Sequence, residues 1–493
     1  MLIKELLIRL KNFSKIAIKQ GVDSITYKDW YNESQKISMI INKSLNIESI
    51  SIGIFLPNSL FYAISYFGVL FSNKILVPID IKAKHLELLS TVEYCEIDMI
   101  ITDSNHKEFI IKCFEKYKYK INILIIDTNE IIVINRNNNF IEKTNTLTSN
   151  ETEQDVVIML HTSGTTSNPK RVMLTNKNLI CNIQSNIESL KLTNIDKVLI
   201  ALPMYFGYCN TAQFLTHIYL GASMLLMENL FLPKLFFQIV ENEKITTFTA
   251  VPSMLLMILK YRYSDKYNID SLRYICFGGG MMPVKQLKHL INKFPNIGFI
   301  QTYGQTECSP RVTALLPEYS LKKIGSVGKP IPDVEVRIFD ENNNCLETNQ
   351  IGEIVVKGNN IMKGYYKRPE ITKKVISNGW LHTGDLGYFD QEGFLYLTGR
   401  IKNIIISGGI NIYPEEIEKV LLQHDCVRET IVVGKYHKIR GEIPIAKVVL
   451  NSDVTENELK NYCQQYLTDY KVPYAFQFVE SIPKTYNGKY KRF

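Results

Sequence analysis

An α/β fold is predicted for this chain: a large N-terminal domain of layered α/β subdomains plus a small β-rich module, followed by a small α+β C-terminal domain. Three observations carry the prediction. Strand-like apolar runs alternate with helix-like stretches from residue 50 to residue 280, short strands and turns take over from about residue 325, and a compact α+β segment follows Arg400. Alternation of the first kind builds a largely parallel sheet covered by helices, whereas closely spaced strands with polar turns build small β modules. The boundary is set near Ile401 to Asn403, dividing the chain into residues 1–400 and 401–493.

The elements follow in order. MLIKELLIRLKNFSKI at the N-terminus interrupts its apolar residues with charges every few positions, so it reads as an amphipathic helix packed on its own domain and not as a signal peptide. ISIGIFL (50–56), KILVPI (74–79) and IDMIIT (97–102) read as strands. LFYAISYFGVLF (60–71) and a stretch near 84–94 read as the helices between them. The first of those helices is too short to span a bilayer and is expected to be buried. The pattern returns at KVLIALP (197–203), SMLLM (223–227), ITTFTAV (245–251) and LRYICFGGG (272–280). After Arg400, Pro414 with acids beside it opens a helix, where the helix dipole favours negative charge. Thr455 and Glu458 have capping-box spacing for a second helix through about Leu467.

Composition narrows the function. With 45% apolar and 22% charged residues over 493 positions, the chain has the profile of a soluble globular enzyme of two or more domains. Its charge of +8 is spread over 57 basic and 49 acidic side chains, which gives no basic patch for nucleic acid but is compatible with anionic ligands. Nine cysteines without a CxxC pair or a His/Cys cluster point to reduced thiols in a cytoplasmic protein, with no integral membrane contact.

Chemistry first shows in HTSGTTSNPK (161–170), a hydroxyl-rich loop between the strand VVIML (156–160) and a helix beginning near Asn176. Backbone N–H groups and hydroxyls in such a loop can surround phosphate oxygens. Lys170 lies six positions after Gly164, as in a Walker A loop. However, Pro169 occupies the second glycine's place and Arg171 the place of the Mg²⁺-binding hydroxyl, so this is no P-loop.

The loop resembles instead the phosphate loop of the adenylate-forming superfamily: acyl-CoA synthetases, nonribosomal adenylation domains and firefly-type luciferases. Thr162 to Thr166, Pro169 and Lys170 match, while Ser167 and Arg171 stand where that family usually has glycine. FGGG (277–280), QTYGQTECSP (301–310), GSVGKPIPDVEVRIFD (325–340), GWLHTGDLGYFDQEGFLYLTGR (379–400), IKNIIISGGINIYPEEIE (401–418) and PKTYNGKYKR (483–492) follow in the family's order. The closest motif match is to AMP-dependent acyl-CoA synthetases.

The resemblance implies a mobile C-terminal domain and a two-step reaction. A carboxylic acid is activated by ATP to acyl-AMP and pyrophosphate, and the acyl group then passes to a thiol. It implies roles for single residues as well. Thr162, Ser163, Gly164, Thr165, Thr166 and Lys170 would hold the β,γ-phosphates, and Thr306 the α-phosphate. Glu307 would bind Mg²⁺, a hard cation that needs an oxygen ligand. Gly278, Gly279 and Gly280 would let the backbone approach the nucleotide and acyl group, Tyr303 would stack on adenine, Asp385 would accept from the ribose hydroxyls, and Arg400 would support the ribose or phosphate. Lys489 would be the lysine that bridges carboxylate and α-phosphate, and Lys402 the hinge on which the small domain turns.

For the acyl group, no acid occurs between Pro203 and Gly221 to pair with an α-ammonium. Tyr205, Phe206, Gly207, Tyr208, Cys209, Met281 and Cys308 suit a small apolar or aryl carboxylic acid instead. Coenzyme A is the expected thiol. The phosphopantetheine of a separate acyl carrier protein is the alternative acceptor, and a catalytically silent nucleotide-binding regulator is a third reading. Arg171 is expected either to hold pyrophosphate or to face solvent.

Overall fold

The computed structural model describes residues 1–45, 50–116, 121–127, 155–162, 170–227, 230–280, 282–408, 410–438, 440–484 and 490–492. Four sheets organise them. A seven-stranded sheet runs in the order Gly364–Tyr365, Arg171–Thr175, Val156–His161, Ile75–Pro78, Ser51–Ile54, Ile97–Thr102, Asn122–Ile125. Its last four strands are mutually parallel, as the β-α-β rhythm requires. Ser51–Ile54 is buried at every position, the signature of a parallel strand covered on both faces. The helix Leu60–Phe71 is buried from Tyr62 to Leu70 and starts where the Ser59 hydroxyl accepts the Tyr62 N–H.

A nine-stranded sheet takes the second series of runs. Its parallel centre is Gly298–Gly304, Tyr274–Phe277, Thr247–Ala250, Lys197–Ile200 and Ser223–Leu226. A five-stranded antiparallel sheet built from Val334–Phe339, Gly352–Gly358, Trp380–Phe389, Ile376–Ser377 and Leu395–Arg400 forms the β-rich module. The fourth sheet, Ile405–Ser407, Ile410–Ile412, Val427–His437, Gly441–Leu450 and Ala475–Phe478, has its own core of Ile412, Ile417, Val432, Val448 and Leu459. The expected caps are present: Pro414 opens Pro414–Leu421, and Thr455 and Glu458 bond reciprocally at the start of Glu456–Tyr466.

The N-terminal segment differs from expectation. Only Glu5–Ile8 is helical, and Ile16–Gln20 is a strand beside Ser223–Leu226. The β-branched, alternating KIAIK stretch completes the nine-stranded sheet and buries Ala17 and Ile18, which a continued helix could not do. Ile3, Leu6 and Leu7 pack into the main core, so the segment belongs to its own domain. All nine cysteines are free thiols. Among the described residues no helix is long and apolar enough to cross a membrane.

Candidate active site

One large cavity of about 1320 Å³ opens at the carboxyl ends of the parallel strands of both large sheets. Asn58, Lys82 and Thr162 enter it from the seven-stranded sheet, and Leu202, Val251, Gly279 and Thr302 from the nine-stranded one. This is where open α/β sheets hold ligands, because the helices and loops diverge there.

Glu307 sits in the short turn Thr306–Cys308 that follows Gly298–Gly304. It is buried but lines the cavity, and its Oε1 accepts the Tyr365 hydroxyl at 2.7 Å. Tyr365 lies on the two-residue strand paired to Arg171–Thr175, so the phosphate-loop hairpin carries the tyrosine that holds the acid. Burial first, then the Glu307 charge, push the Tyr365 hydroxyl up, which keeps it a donor. Lys170 Nζ stands 4.9 Å from the centre of the same ring. Among the described residues no three His, Cys, Asp or Glu side chains converge as a metal cage. A single buried carboxylate fits Mg²⁺ carried in on a nucleotide, since that ion takes one or two carboxylates and completes its shell with phosphate and water.

A second cluster forms across the hairpin that joins Trp380–Phe389 to Leu395–Arg400. Asp385 and Arg400 are register partners there, and Arg400 Nε donates to Asp385 Oδ1 at 2.6 Å. Tyr303 donates its hydroxyl to Asp385 Oδ2 at 2.9 Å. Both carboxylate oxygens keep further lone pairs for a diol. Lys402 lies in the turn Ile401–Asn403 and lines the cavity beside Arg400. Burial, then Arg400, draw its ammonium below the ordinary lysine value.

The structure therefore brings Thr162, Lys170, Tyr205, Phe206, Gly207, Gly279, Tyr303, Thr306, Glu307, Arg400 and Lys402 to one cavity, with Asp385 bonded to its wall. Ser163 to Pro169, Met281 and Lys489 lie outside the described residues.

Three expectations are corrected. Cys308 is fully buried in the main core and does not line the cavity, because its turn points Glu307 one way and the thiol the other. Gly278 is required by packing: a Cβ there would lie 2.6 Å from the Thr302 carbonyl oxygen. Neither it nor Gly280 lines the cavity. Arg171 neither faces solvent nor lines the cavity. It is 3% exposed and donates through Nη2 to Thr91 Oγ1 at 2.8 Å, on the helix His85–Tyr94.

Sequence reasoning passed over Tyr365 and His161. His161 lines the cavity, and burial, then Arg171, hold its imidazole at about 4, so it is neutral at neutral pH. Only the strand pairing that makes Arg171 its register partner reveals it.

Gly304 shows how tightly this site is laid down. A Cβ on it would fall 1.8 Å from the Pro310 carbonyl oxygen. Gly304→Ala is expected to cost about 2 kcal/mol, as overpacking against backbone does, and to lower the thermal midpoint measured by calorimetry. An unchanged midpoint would show that the 304–310 turn relaxes freely.

Comparison with known proteins agrees with this geometry. The AMP-binding enzyme family profile matches residues 10–366, and that of the AMP-binding enzyme C-terminal domain matches residues 416–489. The chain belongs to the AMP-binding, adenylate-forming enzyme family. The 2-succinylbenzoate–CoA ligase of Oceanobacillus iheyensis is 34% identical over 476 residues, 95% of this chain and 93% of that one. The enzyme of the same description from Bacillus subtilis is 35% identical over 417 residues, 84% of this chain and 81% of that one. Among solved structures, the o-succinylbenzoate CoA synthetase of Bacillus subtilis with its acyl-adenylate OSB-AMP superposes with a TM-score of 0.87 at 30% identity. That match covers 99% of this chain and 96% of the other. Within its family this chain is an AMP-forming acid–thiol ligase: ATP activates a carboxylate to acyl-AMP with release of pyrophosphate, and the acyl group passes to a thiol.

Proposed function

We propose that the acid is 2-succinylbenzoate and the thiol coenzyme A, in the cytoplasm. The observation that carries this reading is a cavity lined by both apolar and cationic side chains, in a chain that matches a 2-succinylbenzoate–CoA ligase along nearly its whole length. Leu202, Phe206, Val251 and Met254 offer apolar walls for an aryl group, and Lys170, Arg400 and Lys402 gather charge for a nucleotide.

The side chains divide the work as follows. Asp385 and Arg400 orient the ribose while Tyr303 closes the adenine end. Thr306 donates to the α-phosphate and Lys170 to the β,γ-phosphates, with the loop 162–169. Glu307, fixed by Tyr365, would hold Mg²⁺, which would offset the phosphate charge. Lys489 brings the reacting carboxylate and α-phosphate together. The junction near Ile401 to Asn403 divides a nucleotide-binding body, 1–400, from a moving domain, 401–493. Among the described residues nothing beyond Lys402 lines the cavity, so Lys489 and the thiol would act in turn through rotation of that domain.

Acid-dependent ATP–pyrophosphate exchange with 2-succinylbenzoate, followed by mass detection of its CoA thioester, tests the reading. Exchange without CoA transfer but with transfer to an acyl carrier protein would favour the carrier as acceptor. No exchange with this acid would reject the substrate. The hinge has its own test: Lys402→Pro should spare adenylation and slow thioester formation about tenfold or more, because proline fixes the φ that the turn must change. Lys402→Ala, which removes the same cation from the cavity, separates loss of charge from loss of motion. Equal damage to both half-reactions by Lys402→Pro would place the hinge elsewhere.

A further inference from the structure

Arg311 opens the strand Arg311–Leu315 directly after the turn that carries Thr306 and Glu307. It is 2% exposed, yet it lines the cavity. Its Nη1 donates to Asn186 Oδ1, and its charge acts on the Tyr208 hydroxyl and the Cys276 thiol, opposing the rise that burial gives both groups. Its Nε has no hydrogen-bond partner, and no carboxylate forms an ion pair with it among the described residues. The contrast is local. Arg400 is paired with Asp385 at 2.6 Å and Arg492 with Glu418 at 2.6 Å. A buried guanidinium with only neutral partners is costly to keep, and the cost is offset when an anion arrives.

The placement says which anion. Tyr208 lines the same cavity as Arg311, its hydroxyl 2.9 Å from Thr302 Oγ1. The next residue back, Gly207, lies against Thr306, whose Oγ1 is 3.4 Å from where a Gly207 Cβ would be. Thr306 marks the α-phosphate end, so Arg311 lies on the acyl side of it, past Gly207 and Tyr208. For ATP the cavity already offers Lys170, Arg400 and Lys402. A carboxylate on the acyl group itself is the anion left to meet Arg311.

We propose that Arg311 is a specificity-determining residue that binds, through its guanidinium, the second carboxylate of a dicarboxylic aryl acid whose first carboxylate is adenylated. The inference rests on the acid-activating reading above and deepens it. It requires the substrate to keep one negative charge after acyl-AMP has formed, as 2-succinylbenzoate does. The planar guanidinium fork suits a carboxylate bidentately, which an ammonium at the same place would not.

The experiment measures kcat/KM for pyrophosphate exchange by the full chain with 2-succinylbenzoate and with the two mono-acids made by deleting one of its carboxylates, 4-oxo-4-phenylbutanoate and 2-propanoylbenzoate. The parent enzyme is expected to prefer the dicarboxylate about thirtyfold over whichever mono-acid reacts. Arg311→Gln should reduce that ratio to about threefold, through KM for the dicarboxylate, and Arg311→Lys should fall between. A variant that loses activity on all acids equally, with the ratio intact, would make Arg311 structural and overturn the proposal. So would a parent enzyme that handles dicarboxylate and mono-acid alike, an outcome that needs no variant to fold. A parent enzyme silent with 2-succinylbenzoate but selective for another aryl dicarboxylate would sink the substrate and keep Arg311. Activity confined to mono-acids would sink both.

Discussion

Lys489→Ala is expected to slow acyl-adenylate formation by about two orders of magnitude or more, while leaving capture of preformed acyl-adenylate by CoA intact. The reason is electrostatic. An anionic carboxylate must approach an anionic α-phosphate, and the barrier falls only if a cation is placed between them. Two of the described cations that line the cavity have other engagements: Arg400 pairs with Asp385, and Lys170 stands over the Tyr365 ring. The chain on either side of Lys489 is fastened to the C-terminal domain. Lys484 and Tyr490 form an antiparallel bridge, and the Lys491 N–H donates to the Pro483 carbonyl at 2.8 Å. Arg492 grips both Glu418 oxygens at 2.6 and 2.8 Å and the Val432 carbonyl at 2.8 Å. If the domain turns as proposed, a lysine between these anchors would travel with it and serve one half-reaction only. Pyrophosphate exchange reads the first step, and single-turnover thioester formation from synthetic acyl-adenylate reads the second. Parental exchange in the variant would overturn the assignment.

What could be read from the sequence depended on how local the signal was. The β-α-β rhythm predicts a largely parallel sheet covered by helices, and its return later in the chain, because buried strands and their covering helices are each written in one short run. Asp385 and Arg400 were assigned separately, and a single hairpin makes them register partners. The failures are side-chain directions and distant partners. The strand Ile16–Gln20, whose first residue the N-terminal helix reading includes, has its partner strand some two hundred residues on, where no local pattern points. Cys308 adjoins Glu307 in sequence, yet the tight turn sends it into the core. Arg171 reads as a charge in a phosphate loop, but the strand alternation turns it toward Thr91. Tyr365 and Arg311 carried no motif signal because they meet the cavity through strand pairing alone.

Tyr365 bears on the other large effect. Glu307→Gln should reduce adenylation about a hundredfold, and Tyr365→Phe about tenfold. Glutamine keeps the shape and can still accept the Tyr365 hydroxyl, so the fold around Thr306–Cys308 should hold while the charge on Mg²⁺ is lost. Phenylalanine keeps the charge and removes the bond that orients it, which makes Tyr365 a positioning residue. The two variants should then part company when magnesium is titrated at fixed ATP. Excess metal should recover much of the Tyr365→Phe activity, because an intact carboxylate is only less well aimed. It should recover little of the Glu307→Gln activity, because the neutral amide is a poorer ligand for a hard cation at any concentration. A Glu307→Gln enzyme with the parent's rate and magnesium response would remove Glu307 from the metal site. Identical magnesium curves for both variants would mean that Tyr365 does more than hold Glu307, and its contact with Lys170 would become the place to look.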